Sequence, residues 1–214
     1  MTEFTIDVHS DLACPWCYVG KRQLDLAIQQ FTSDNPNVNI TVNWHPYIID
    51  KNTAQNGEEY MTYNRRRWGS DGWTNSLRNA GKRIGLEFRN WKTWPNTVNA
   101  HRLVHLAGQK NGPKGQNMAK DVLFRMIYED GKNISDVHIL AEAAHELGLD
   151  DVVGYLNSGQ GFDEVMAEDS HAKTKLRISG VPFFILQSKK GQKSLSGAQS
   201  ADNFVKAFTQ LSGS

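Results

Sequence analysis

The chain has 214 residues, 39% of them hydrophobic and 22% charged, with a formal net charge of +1. These are the proportions of an ordinary globular protein with one sizeable core, and a charge this small argues against nucleic acid as a partner, because phosphate binding works through concentrated positive charge. No apolar run reaches the ~20 residues that cross a bilayer, and Met1 to Val8 lacks the basic start of a secretory signal.

Phe4, Ile6 and Val8 alternate with Thr5, Asp7 and His9, which predicts a strand with one face buried. Leu24, Ala27, Ile28 and Phe31 then recur at the spacing of an amphipathic helix. At the junction stand the only two cysteines of the chain, in Cys14-Pro15-Trp16-Cys17. Pro15 suits the first helical position. That places Cys14 at the helix N-terminus, where free N–H groups and the positive end of the helix dipole favour a thiolate. Cys17 lies one turn further in, within disulfide reach and expected to be the more buried. A structural disulfide across two residues would close almost no loop. A zinc site needs four ligands, and there is no second cysteine pair. Histidines, His9 nearest, could complete a metal site, but the pattern favours redox chemistry over metal binding or coincidence, with Cys14 as nucleophile and Cys17 as the thiol that resolves the mixed disulfide. Pro15 and Trp16 would tune the pair by setting the donors and packing around it. Cysteines spent on chemistry rather than stapling suit a reducing compartment, so the expected address is cytoplasmic.

Asp11, Asp7 and His9 are acid–base candidates beside the pair. A carboxylate near a resolving thiol accepts its proton only if burial raises the acid's pKa. The other reading is that Asp11 caps the loop while Asp7 and His9 face solvent or a polar layer.

Val38, Ile40, Val42 and Trp44 alternate as a second strand, ended by His45-Pro46. From about Tyr47 to Gln160 the pattern is helical. Leu77, Ala80, Gly81 and Ile84 mark one helix; Ala100, Leu103, Val104 and Ala107 a second; Val122, Leu123, Met126 and Ile127 a third. Gly112-Pro113 breaks the chain between the last two. Leu140, Ala143, Ala144 and Leu147 mark another helix, capped by Ser135 or Asp136 and closed by Gly148. Residues 163–178 lead back as a last helix of this region. Val181 to Leu186 suits a strand buried on both faces. Ser188 to Gly191 is a turn, Lys193 to Ser196 an edge strand, and Ala201, Phe204, Phe208 and Leu211 a closing helix. This order is that of an α/β thioredoxin-like fold, residues 1–46 and 161–214, with a helical subdomain inserted at 47–160.

Inside the insertion, Trp68, Trp73, Trp91 and Trp94 read as aromatic core or as an apolar substrate groove. Arg65-Arg66-Arg67 reads as a solvated helix face, or as a contact for glutathione or an acidic substrate. His101 and His105 have a metal-compatible spacing, but no third ligand accompanies them and no metal is expected.

Three stretches resemble a known family: Ser10 to Arg22 around the cysteines, Asn96 to Leu103, and Ser179-Gly180-Val181-Pro182-Phe183-Phe184. They resemble the DsbA-like thioredoxin-fold proteins, and more narrowly the FrnE-type branch described as polyketide-biosynthesis dithiol–disulfide isomerases, from near residue 4 to near residue 211. The resemblance implies a thiol–disulfide oxidoreductase or isomerase acting on a disulfide- or thiol-bearing protein or small molecule. It implies no cofactor beyond the redox-active disulfide, with glutathione a candidate co-substrate. It also implies a cis Val181–Pro182 bond beside the cysteines, with the Val181 backbone open to an extended substrate. His101 and Arg102, in the second stretch, would line the substrate cleft. Two alternatives stand beside this reading. Kappa-type glutathione transferases and 2-hydroxychromene-2-carboxylate isomerases share the layout but carry serine at the Cys14 position. A redox-sensing module would bind a partner in one oxidation state with little turnover.

Overall fold

A computed structural model describes residues 2–213. In chain order its elements begin with β1 (Thr2–Ser10), α1 (Pro15–Asp34), β2 (Val38–Pro46), β3 (Glu58–Glu59), α2 (Tyr60–Trp68), α3 (Thr74–Lys82) and β4 (Thr93–Trp94). They continue with α4 (Val98–Tyr128), α5 (Val137–Glu146), α6 (Val152–Asn157), α7 (Phe162–Thr174), β5 (Phe183–Ser188), β6 (Gly191–Ser196) and α8 (Ala201–Ser212).

The main sheet has the order β2-β1-β5-β6. β1 runs parallel to β2, with Ser10 opposite Pro46, and antiparallel to β5, with Val8 opposite Phe184. Phe4, Ile6 and Val8 are fully buried and meet Leu24, Ala27 and Phe31 of α1 and Phe204, Phe208 and Leu211 of α8 in one core. A second core joins the other end of α1 to the helical region. Leu12, Cys14, Cys17 and Val19 pack there with Tyr63, Leu103, Leu123, Phe124, Tyr128 and Leu140. The cysteine pair therefore sits where sheet domain and inserted helices meet, held by both.

Several expectations are adjusted. β5 is buried on one face rather than two: Phe184 and Leu186 are buried, while Phe183 and Ile185 are only half covered. It starts after Pro182, which has no N–H to give a ladder. The hairpin to β6 is tight, with Ser188 opposite Gly191, so β6 begins two residues before Lys193. α7 ends at Thr174, and the residues after it run as loop to Pro182. The two helices expected on either side of Gly112-Pro113 form α4, whose 31 residues kink at Asn111 and Gly112. Gly112 has φ 60°, ψ −155°, a conformation essentially reserved for glycine. Asp136, not Ser135, caps α5 by accepting from His138 N–H at 2.8 Å, while the Ser135 hydroxyl accepts from Asn96 N–H at 2.8 Å.

Candidate active site

Cys14 is the N-cap of α1, in extended conformation (φ −90°, ψ 108°), with Pro15 opening the helix. Its N–H donates to the Asp11 carbonyl (3.2 Å), and Cys17 N–H donates to the Cys14 carbonyl (2.9 Å). This turn aims Cys14 outward and Cys17 inward: Cys14 keeps 6% of its surface exposed and Cys17 none. Both are free thiols. Burial, then the hydrogen bond and charge of Cys14, push the Cys17 thiol up; the Asp11 backbone N–H and the charge of Lys120 pull against them.

The Val181–Pro182 bond is cis. It brings the Val181 carbonyl to 3.7 Å from Cys14 Sγ, across 167 residues of sequence. Pro182 lies on Gly20, one turn past Cys17. A methyl group on Gly20 would meet Pro182 Cγ at 3.0 Å and Phe184 Cζ at 3.2 Å, so the bare Cα lets α1 approach the proline. The importance of Gly20 was missed at the sequence level.

A cleft of about 640 Å³ opens at Cys14, between Pro15 and Trp16 on one side, Val181 on another, and the α2–α3 region on a third. Both readings of the tryptophans hold in part. Trp68, Trp73 and Trp94 line the cleft, Trp91 is core, and Trp94 is nearly buried as well, stacked on Tyr63 at 3.9 Å between ring centres. The arginines are exposed. Arg66 pairs with Glu58 at 2.7 Å, while Arg67 lies over the Trp68 ring and borders the cleft.

Asp11 is only 1% exposed. One carboxylate oxygen accepts from Ala13 N–H (3.3 Å), the Thr97 hydroxyl (2.8 Å) and His101 Nε2 (3.3 Å); the other accepts from Ile49 N–H (2.8 Å). Burial pushes its pKa up, but the His101 contact and the Ile49 and Thr97 donors outweigh it, and the net value falls. Asp11 is therefore an ionised loop anchor and lacks the raised pKa a proton acceptor for Cys17 would need. His101 is pushed down by burial and by the charge of Lys120, which leaves a neutral imidazole donating from Nε2. It holds Asp11 from below and does not wall the cleft. His105 pairs with Gln109 instead.

Arg102, one position on, turns toward α6. Its guanidinium donates to the carbonyls of Gln160 (2.7 Å), Leu156 (3.0 Å) and Tyr155 (3.0 Å) and to Asn99 Oδ1 (2.7 Å). The step of ~100° per residue along a helix separates these neighbours, and Arg102 closes the end of α6 rather than lining the cleft. His9 and Asp7 form a polar layer with β2 and α7. His9 stacks on His45 at 4.9 Å and is pushed down to about 4 by burial and the His45 charge. Burial lowers His45, but hydrogen bonds to Asp7 (3.1 Å) and Glu168 (2.8 Å) outweigh it and raise it to about 9.

Lys120 also escaped the sequence reading. Its Nζ is buried against Ser10 Oγ at 3.1 Å and over the rings of Trp44 and Phe124. Lys120, Leu123, Phe124 and Ile127 share the apolar stripe of α4. A lysine on such a stripe was the available signal.

The DSBA-like thioredoxin domain model matches residues 5–209. An uncharacterized protein of Bacillus subtilis (strain 168), YwbO, is 27% identical over 215 residues, covering 95% of each chain. A probable DsbA oxidoreductase from Streptomyces coelicolor superposes with TM-score 0.82 and 28% identity, over 98% of this chain and 90% of that one. The cytosolic disulfide reductase DsbM from Pseudomonas aeruginosa shares the fold at TM-score 0.67 and 16% identity, over 98% and 100%. The family match runs from within β1, through the cysteine pair and the helical region, to within α8, and the chain belongs to the DSBA-like thioredoxin domain family.

Proposed function

We propose that this protein is a thiol–disulfide oxidoreductase that works through Cys14 and Cys17. The observation that carries the reading is the asymmetry of the pair. Cys14 caps α1 at the mouth of the cleft beside the Val181 carbonyl, while Cys17 is sealed behind it. Cys14 thiolate attacks a substrate disulfide, forming a mixed disulfide and releasing one substrate sulfur. Cys17 then attacks Cys14 Sγ, which releases the second sulfur and leaves Cys14–Cys17 oxidised. Run backwards, the same steps oxidise a dithiol. The Val181 backbone, at the cleft beside Cys14, gives an extended substrate something to pair with, and Pro15, Trp16 and Pro182 shape the contact.

The substrate class is a disulfide- or thiol-bearing protein or small molecule. Glutathione is a candidate co-substrate, in keeping with a structure of DsbM with GSH. The working compartment we propose is the cytoplasm, and the Ser10–Arg22 stretch favours the FrnE-type branch within the family. Among the described residues no helix is long and apolar enough to cross a membrane. A kappa-type glutathione transferase would need serine where Cys14 stands.

Insulin reduction and reactivation of a scrambled-disulfide protein, with wild type beside Cys14→Ser, test the reading. Turnover in wild type and its loss in Cys14→Ser support it. Redox-dependent partner binding without turnover would instead make the protein a sensor.

A further inference from the structure

The α2–α3 wall of the cleft holds a charge that the exchange chemistry just described does not use. Among the described residues that line the cleft, Arg67 is the only charged side chain, and none is a carboxylate. All three arginines in the last turn of α2 gain from the negative end of the helix dipole, but their guanidinium groups meet different surroundings. Arg65 stays outside the cleft. Arg66 is neutralised by Glu58 at 2.7 Å, with Asp50 at 3.7 Å. Arg67 forms no ion pair among the described residues and lies over the Trp68 ring at 5.0 Å. Trp68 is itself 49% exposed, the most open of the large hydrophobic side chains described.

The aromatic surface beside Arg67 is held in place. Asn64, fully buried, donates its amide to the Tyr60 carbonyl at 2.8 Å and accepts from the Trp73 indole N–H at 2.8 Å. Trp73 is thereby fixed, and Trp68 meets it edge-on with ring centres 6.4 Å apart. The carboxylates nearby in sequence are engaged elsewhere, Asp50 by Tyr63 and Arg66, and Asp71 by Tyr60.

We propose that Arg67, Trp68 and Trp73 form a specificity subsite for a small disulfide whose thiol fragment carries a carboxylate on a planar, apolar body. The inference rests on the oxidoreductase reading above and names the substrate class of that same site. A cleft of about 640 Å³ has the size of a small-molecule site. Tryptophan rings take a planar apolar group, and a guanidinium takes a carboxylate through two parallel hydrogen bonds. The charge also serves the chemistry. Cys14 attacks as a thiolate, and an anionic substrate brings more negative charge into the same cleft. Arg67 is the lining group that offsets it. Cys14 Sγ bonds to one substrate sulfur, and the other leaves as a thiolate with the electron pair of the broken S–S bond. No further reagent enters, and Arg67 keeps its proton throughout.

The test is the first phase of exchange, attack by Cys14 on excess disulfide, followed by stopped-flow absorbance of the released thiol. Para-dithiodibenzoate carries both features, its neutral diamide only the ring, and dithiodipropionate only the carboxylate. Comparing each variant with wild type as a ratio of rates between two probes cancels any change in Cys14 itself. In Arg67→Gln the dibenzoate-to-diamide ratio is expected to fall about tenfold, the lower end for a hydrogen bond to a charged group. Arg67→Lys, which keeps the charge but not the planar fork, should fall between. In Trp68→Ala the dibenzoate-to-dipropionate ratio should fall about fivefold. Raising salt to about 1 M should shrink the wild-type dibenzoate-to-diamide ratio. Both side chains are exposed, so the variants are expected to fold. An unmoved ratio in either Arg67→Gln or Trp68→Ala overturns the inference. So does a greater loss of insulin reduction than of dibenzoate reaction in Arg67→Gln, which would make the occupant a polypeptide. The oxidoreductase reading fails separately. It falls if wild type releases only one thiol per protein, because Cys17 then never closes the disulfide, while the probe ratios still decide the subsite.

Discussion

Asp11 shows how one residue type supports two opposite readings from sequence and one from structure. Near a buried thiol a carboxylate is a proton acceptor if its pKa is raised, yet four donors converge on Asp11 and depress it. A depressed carboxylate stabilises the fold above its unfolded pKa of about 3.9 and stops doing so as pH falls through the folded value. Asp11→Asn should therefore cost about 2–4 kcal/mol in urea unfolding at pH 7, and the difference from wild type should shrink on acidification below about pH 4. A variant with wild-type stability at pH 7 would show that the donors do not need the charge. The donors come from Ala13, Ile49, Thr97 and His101, and no local pattern reveals that they converge.

The histidine layer adds a test in the other direction. The raised value of His45, about 9 against 6.5, means its contribution is complete below about pH 6.5 and is lost as pH rises through 9. The lowered value of His9, about 4, works the opposite way: its contribution is present above 6.5 and is lost as pH falls toward 4. His45 is partly solvent-exposed, so its share is discounted for screening to about 1–2 kcal/mol. Between pH 6.5 and 9.5 the wild type should lose that much more stability than His45→Gln, read from urea midpoints. Equal losses in the two proteins would dismiss the His45–Asp7–Glu168 arrangement as a stabilising element.

At the scale of elements, α1 is the piece on which sheet, site and insertion all depend. Its N-terminus carries Cys14, Gly20 admits Pro182, and Lys21 ties it to Asp121 of α4. Gly20→Ala would press a methyl group against Pro182 and Phe184 at 3.0–3.2 Å. The expected cost is about 1–3 kcal/mol, together with a fall in insulin-reduction rate as Val181 shifts from Cys14. Wild-type stability and rate in Gly20→Ala would mean that the loop yields freely. Elements with several turns or alternations were legible: β1, α1, β2, α3, α5 and α8 follow their apolar periods. The two-residue strands β3 and β4 and the six-residue α6 are too short to carry a period, and only tertiary pairing makes them. Arg102 and Lys120 show the limit at the site. Periodicity tells which face of α4 is buried, not what a charged residue meets there.

For the whole molecule, the fold brings two cores together at one turn of chain. The sheet side supplies the cysteines and the cis proline, and the helical side supplies the aromatic wall, the Asp11 anchors and Lys120. The pair itself was legible because its sequence neighbours make it; its partners at 97, 101, 120 and 181 were reached through long-range packing, and of these only Val181, through family resemblance, and His101, through its spacing from His105 and the same resemblance, were singled out. The central claim is that Cys14 attacks and Cys17 resolves. It is tested most directly by mass spectrometry of the covalent adducts that Cys17→Ser and Cys14→Ser form when incubated with a disulfide-bearing extract. Cys17→Ser, lacking the resolving thiol, should accumulate reductant-sensitive mixed disulfides on Cys14, and Cys14→Ser should accumulate none. Adducts on Cys17 of Cys14→Ser, with none on Cys14 of the other variant, would contradict the assignment.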